Sequence, residues 1–230
     1  ELSDYTGLQG DLALKSPIAS PSFTGNVGVT GTNAAVNVIC GGVTEDSNLN
    51  FVQGSTTEGG ITFDHNSGYA SEQMNFRVGN NTTHMSINGA GIVTKPNQPA
   101  FSVYRNSGAA NSSLGANGVI VCNGEHFDTG GNHNTSTGRF TAPVAGKYMI
   151  SSFHMSTNDA TYDNKNYTVN VNGSIYKEVY GSSGDAVHHQ FNWSGIIQLA
   201  ANDYVTLNYQ NFNIYGSHAN YSTFSGHLIG

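Results

Sequence analysis

From Gly25 onward the chain repeats one small pattern, two apolar residues with a single residue between them, set in a background of Gly, Asn, Ser and Thr. The pairs are Val27/Val29, Val36/Val38, Leu49/Phe51, Ile61/Phe63, Met74/Phe76 and Met85/Ile87, with first members 9, 13, 12, 13 and 11 residues apart. Alternation over a few residues marks a short strand with one buried face, and the small polar residues between are turn formers. So few inward side chains per strand cannot exclude water from that face within one chain. A monomeric β-solenoid or a loose linker would carry similar repeats. Three chains wound together would bury them best, so the pattern predicts an intertwined trimeric β-shaft, each repeat adding an apolar layer along one axis.

Beyond residue 96 the strands lengthen. Residues 100–105 predict a first strand, 106–117 a polar loop and 119–122 a short strand. The stretch 136–148, STGRFTAPVAGKY, reads as a turn, a short strand at Phe140, a bend at Pro143 and release through Gly146 into a long strand over 148–155. Strands over 168–171 and 175–180 flank Asn172-Gly173, a hairpin signal because both positions tolerate φ > 0. From 187 to 199 the odd positions are Val187, His189, Phe191, Trp193, Gly195, Ile197 and Leu199, which places His189 on the apolar face as a core or interface residue. Val205, Leu207 and Tyr209 continue the alternation, and Phe224, Gly226 and Leu228 close it.

The spacing Phe140, five residues, Gly146, one residue, Tyr148 resembles the core of the C1q and tumour-necrosis-factor-like jelly-roll signature, with Asp128 where that family has Asn or Asp. Departures fall at His133, where an aromatic is usual, and at Cys122 and Ile150, where the family has Phe. Residues 193–195 and 199–205 are similar to the family's sixth and seventh strands, and 221–229 to its last. The resemblance implies an all-β chain ending in a two-sheet jelly-roll head, first and last strands antiparallel neighbours, with three heads around an axis. Phe140, Gly146, Tyr148, His189, Trp193, Phe224 and Gly226 are the expected fold and trimer core. Residues 12–25 resemble a recurrent segment of bacteriophage tail fibres, and 91–99 the junction before a fibre's terminal head. The chain thus divides into a leading segment (1–24), a repetitive β-shaft (25–95) and a C1q-like head (96–230), with Pro96 and Pro99 stiffening the joint.

Composition agrees with many short strands joined by polar turns. Hydrophobic residues are 37% and charged residues 10%, with 29 Gly, yet 12 Tyr and 11 Phe are there to be packed. Net charge is −7 and the eight Lys and Arg are scattered, which argues against nucleic acid and anionic membranes. No apolar run reaches the length of a membrane span. Glu1 follows no leader-like segment and reads as the trimmed end of a longer polypeptide. Cys40 and Cys122 read as small buried hydrophobes rather than a bridge.

No nucleophile elbow, cysteine–histidine pair with a family spacing, P-loop or dinucleotide fingerprint occurs, so no enzyme is expected. Counting strand direction back from the last strand puts loops 156–166, 181–185 and 212–220 at the free apex of the head. Loops on a rigid scaffold are where recognition is placed. Their Tyr162, Asp163, Asn164, Tyr215, His218 and Asn220 combine aromatic faces with adaptable polar groups and are the candidate receptor-binding residues. Asp159 and Asp163 are candidate calcium ligands, the one cofactor in view; otherwise no metal or cofactor is expected. The resulting expectation is a homotrimeric tail-fibre tip at the distal end of a virion. It would bind a host cell-surface glycan or outer-membrane protein and sit on upstream fibre or tail proteins. The alternatives are a polysaccharide-depolymerising spike and a secreted C1q-like lectin or signalling module.

Overall fold

The computed structural model describes residues 31, 36–39, 45–65, 72–106, 117–157, 165–181, 188–215 and 221–230. Of the repeats, Val27/Val29 lies outside them and Val36/Val38 is in no strand. The other four pairs each sit on a strand: β1 (Ser47–Gln53), β2 (Thr56–Asp64), β3 (Gln73–Val78) and β4 (Thr82–Asn88), followed by β5 (Val93–Thr94). These five pair in chain order as an antiparallel meander. The turn between β3 and β4 is built by Gly79, Asn80 and Asn81, all with φ between 54° and 62°, the left-handed region that Gly and Asn tolerate.

The head follows through β6 (Ala100–Tyr104), β7 (Asn117–Val119), β8 (Gly124–Thr129), β9 (His133–Asn134), β10 (Arg139–Thr141), β11 (Gly146–Met155), β12 (Asn166–Val171), β13 (Ser174–Tyr180), β14 (Gln190–Leu199), β15 (Tyr204–Gln210) and β16 (Ser222–Leu228). One sheet runs β14-β11-β16-β6-β8 and the other β13-β12-β15-β10-β9, with β7 also on β15. First strand β6 and last strand β16 are antiparallel neighbours, Ser102 opposite Ser225. This is the two-layer jelly roll that the motif at Phe140 implies.

Alternation places the core. On β14, Phe191, Ile197 and Leu199 are buried while the even positions from Gln190 to Gln198 are exposed. Phe101 stacks on Phe140 at 4.5 Å and meets Phe224 edge-on at 4.8 Å; Tyr148 closes the group 5.6 Å from Phe140 and donates its hydroxyl hydrogen to Val144 O at 2.8 Å. Gly226 is required by space, since a Cβ there would stand 2.7 Å from Ile150 Cδ1 and 2.9 Å from Met149 O. Gly146 is pressed the same way by Leu228.

The departures from the family pattern are accommodated. His133 lies flat over Phe101 (5.8 Å, 14°) and edge-on to Phe224, taking the place of an aromatic ring. Asp128 Oδ2 accepts the His133 backbone N–H at 2.8 Å and closes the turn between them. Cys122 and Ile150 are buried in the same core.

Two details differ from the sequence pattern. The strand expected over 119–122 pairs as Asn117–Val119 and then leaves the ladder, because the 135–138 turn crosses it: a Cβ on Gly138 would sit 2.6 Å from Ile120 O. β8 has no alternation to announce it, since Glu125, His126 and Phe127 are all exposed on a sheet edge. At the joint, Gln98 Nε2 donates to Leu228 O, Leu228 N to Pro99 O (2.9 Å), and Asn97 Nδ2 lies 3.2 Å from His84 Nδ1.

Candidate functional site

Strand directions sort the head into two ends. Gly146, Leu228 and Pro99 gather at the end where the meander joins, with Lys147 N donating to Gly230 O at 2.8 Å. At the opposite end the chain segments that bracket the loops converge. Ser156 pairs with Ile214, and its N–H donates to His189 O while its Oγ accepts from His189 N. Thr157 N donates to Asn213 O, Tyr215 N to Met155 O, Met155 N to Tyr221 O, and Gly181 N to Lys165 O, all between 2.8 and 3.0 Å. Every one of these backbone groups lies at a strand end that has run out of ladder partners, and the cross-bonds replace the missing ones.

The described residues on either side of 158–164, 182–187 and 216–220 therefore meet on one cross-bonded platform. Those on either side of 107–116 join them, because Arg105 N donates to Ser222 O at 2.9 Å and Asn117 pairs with Gln210 at the same end. Sequence reasoning had that loop as polar but did not place it; pairing of β7 with β15 is what brings its far end here.

Of the candidate receptor-binding residues, Tyr215 is described and stands on this platform. His188 meets it edge-on at 5.0 Å and Tyr221 at 4.9 Å. His188 Nδ1 donates to Ser156 O at 2.7 Å, which leaves Nε2 as the acceptor on an exposed ring. Tyr162, Asp163, Asn164, His218 and Asn220 lie outside the described residues, as do the calcium candidates Asp159 and Asp163, and Cys40. In the sequence His188 stands out only as the neighbour of His189, on the opposite face of the strand, and Tyr221 only as the start of the family-like last strand; neither is among the receptor-binding candidates there.

Beneath the platform the ionisable groups are shifted by burial. Burial pushes the Cys122 thiol up to about 12, so it is no nucleophile at neutral pH. His154 is fully buried, its ring 5.3 Å from Tyr167, and burial holds it near 3. Burial also lowers Arg105, whose Nη1 donates to Val121 O at 3.2 Å. Ser152 Oγ and Tyr167 Oη share a 2.5 Å hydrogen bond inside the core. Among the described residues no three His, Cys, Asp or Glu side chains converge to hold a metal ion, and no helix is long and apolar enough to cross a membrane. His189 is half-buried behind Ser156, and Trp193 is half-buried with Tyr176 edge-on to it at 6.2 Å.

A model of the C1q domain matches residues 100–229. Caprin-2 of Danio rerio is 31% identical over 133 residues, which cover 56% of this chain and 14% of that protein. Complement C1q tumor necrosis factor-related protein 3 of Homo sapiens is 30% identical over 116 residues, covering 49% of this chain and 45% of that protein. The chain therefore spans less than half the length of either relative. Among solved structures, the globular domain of zebrafish complement 1qA is 19% identical with a TM-score of 0.46, covering 58% of this chain and 98% of that one. With a single model spanning β6 to β16 and an antiparallel first and last strand, the chain belongs to the C1q domain family.

Proposed function

We propose that this chain is a non-catalytic, homotrimeric recognition module working outside the cell, a C1q-like head that presents its loop end to a ligand surface. One observation carries the reading: the described residues that bracket 107–116, 158–164, 182–187 and 216–220 meet in one cross-bonded platform at the end of the jelly roll opposite the meander. A rigid scaffold bearing clustered loops suits binding by many weak contacts, and three copies multiply them. The trimer face would be the outside of the β14-β11-β16-β6-β8 sheet. There Ser102, Ser225, Ser151 and Ser194 stand in register across four strands, and a shallow depression of about 640 Å³ opens between Phe127, Met149 and His227. Small hydroxyl side chains let a neighbouring copy approach closely.

Two specific stretches favour a second reading of where the module works. Residues 12–25 and 91–99 resemble bacteriophage tail-fibre segments, so the same head would sit at the distal end of a fibre and engage a host glycan or outer-membrane protein. One experiment tests both. Purified chain is offered to a glycan array and to bacterial cells, with a variant in which residues 216–220 are exchanged for a Gly/Ser loop of equal length, because Phe212 and Ile214, expected in the loop, are buried in the core. Saturable binding that the exchange abolishes supports recognition by the loop end, and blocking of phage adsorption favours the fibre. Undiminished binding by the exchanged variant would overturn the assignment to that end, and release of sugar from the ligand would overturn the non-catalytic reading.

A further inference from the structure

Among the described residues one face of the β1–β5 meander is only partly covered, with His65 edge-on to Phe63 at 4.5 Å and Glu72 beside Phe63, Met74 and Ile87. Leu49, Ile61, Phe76 and Met85 lie in register across four strands, and Phe63, Met74, Ile87 and Val93 make the next row. Leu49 is 51% exposed and Phe51 59%, and neither row holds a charged residue. The opposite face is largely hydrogen-bonded within itself, Arg77 Nε apart. Asn48 Oδ1 accepts from Thr62 Oγ1 and Asn75 Oδ1 from Ser86 Oγ, both at 2.7 Å, while Arg77 Nη2 donates to Asn48 Oδ1 and Asn50 Oδ1 at 3.2 and 2.8 Å. The sheet thus hydrogen-bonds across its polar side and leaves its apolar one part-exposed, the reverse of a surface built to face water.

What fits a neutral apolar strip on a chain of net charge −7 is another neutral apolar strip. Strand pairing runs unbroken from β1 to β5 within the chain, with β1 and the two-residue β5 as its edges, and the apolar rows lie on the face rather than along those edges. The hydrogen bonds at Gln98, Pro99 and Asn97 fix the meander to the base of the head, so assembled heads would deliver their meanders to one place. We propose that the apolar face packs against the same face of two further copies, three sheets closing as the walls of a triangular prism on the axis of the head trimer. Dimensions agree. Five strands about 4.8 Å apart make a wall about 19 Å wide, and a triangle of that side has its centre about 5.5 Å from each wall. That is close to half of the ~10 Å at which packed sheets sit, so Leu, Ile, Phe and Met side chains fill the interior without a void. The proposal rests on the homotrimeric reading above and replaces strand exchange with face-to-face packing.

The test is made on the full chain with Cys40→Ser, Cys122 being buried and poorly ionised. Pyrene maleimide is attached at Phe51→Cys on the apolar face or at Asn50→Cys on the polar one, and the oligomer is sized by sedimentation. A trimer with excimer emission from position 51 and none from position 50 is the expected result. A trimer with equal or no excimer at both positions overturns the prism and leaves the trimer standing; a monomer overturns both. In case the label itself disturbs the interior, Ile61→Asp is examined by hydrogen exchange. Amides of β1–β4 should exchange at least 10-fold faster while the heads stay trimeric, and unchanged protection would overturn the proposal.

Discussion

Histidine does two unlike jobs inside the head. His133 supplies a flat ring between Phe101 and Phe224, and His154 fills the core beside Tyr167; neither ring finds a hydrogen-bond partner among the described residues. Burial lowers both, against the pull of Asp128 in the case of His133, and it takes His154 to about 3. A folded value below the unfolded one of about 6.5 means that folding favours the neutral ring. Stability is therefore complete above pH 6.5 and is lost as pH falls below it. Between pH 7.5 and 5, His154 alone should cost about 2 kcal/mol, read by urea denaturation, and His154→Leu should flatten that slope. Gly226→Ala should destabilise by about 2 kcal/mol at any pH, because Met149 O is backbone and cannot move aside as a side chain would; an unchanged urea midpoint would refute the packing account. The roles of Phe140, Gly146, Tyr148 and Gly226 were legible in sequence because the family spacing carries them. That of His133 was not, since the ring it stacks on comes from another strand.

At the level of elements, the hairpin of β12 and β13 shows how local and distant chemistry agree. Asn172 and Gly173 have φ of 51° and 81°, the mirror-image turn that suits the strand twist. Asn172 then bridges to the next strand connection, its Nδ2 donating to Asp203 Oδ1 at 2.7 Å and its Oδ1 accepting from Tyr204 N at 3.0 Å. Asp203 also accepts from Ala200 N, and the Asn172 bond leads the causes that lower its carboxyl. Asn172→Ala should therefore cost about 1–2 kcal/mol by thermal denaturation, more than loss of the turn preference alone, while Asn172→Gly keeps the turn and loses only the bridge. Alternation made this hairpin and β14 readable. It failed for β8, an edge strand wet on both sides, and for residues 120–123, whose ladder is interrupted by a turn from farther along the chain.

For the molecule as a whole, the proposed function turns on the proposed trimer. Ser225→Arg would put a long charged side chain in the middle of the serine row and should convert the trimer to monomer by sedimentation without shifting the urea midpoint of the head. Binding to a multivalent surface should then fall at least ~100-fold, while affinity for a single soluble ligand stays the same. Equal loss in both assays would show that Ser225 belongs to the binding surface instead. The sequence by itself determined the strands, the Asn-Gly turn, the jelly-roll family and the apolar strip of the meander, because period-two alternation and φ > 0 residues are local signals. Only the tertiary structure decided that the residues bracketing 107–116 meet those bracketing 158–164, 182–187 and 216–220 at one end, that His188 and Tyr221 stand against Tyr215, and that the meander pairs within its own chain. Each of these depends on which distant strands hydrogen-bond to one another, and that choice is made by packing across the whole sandwich.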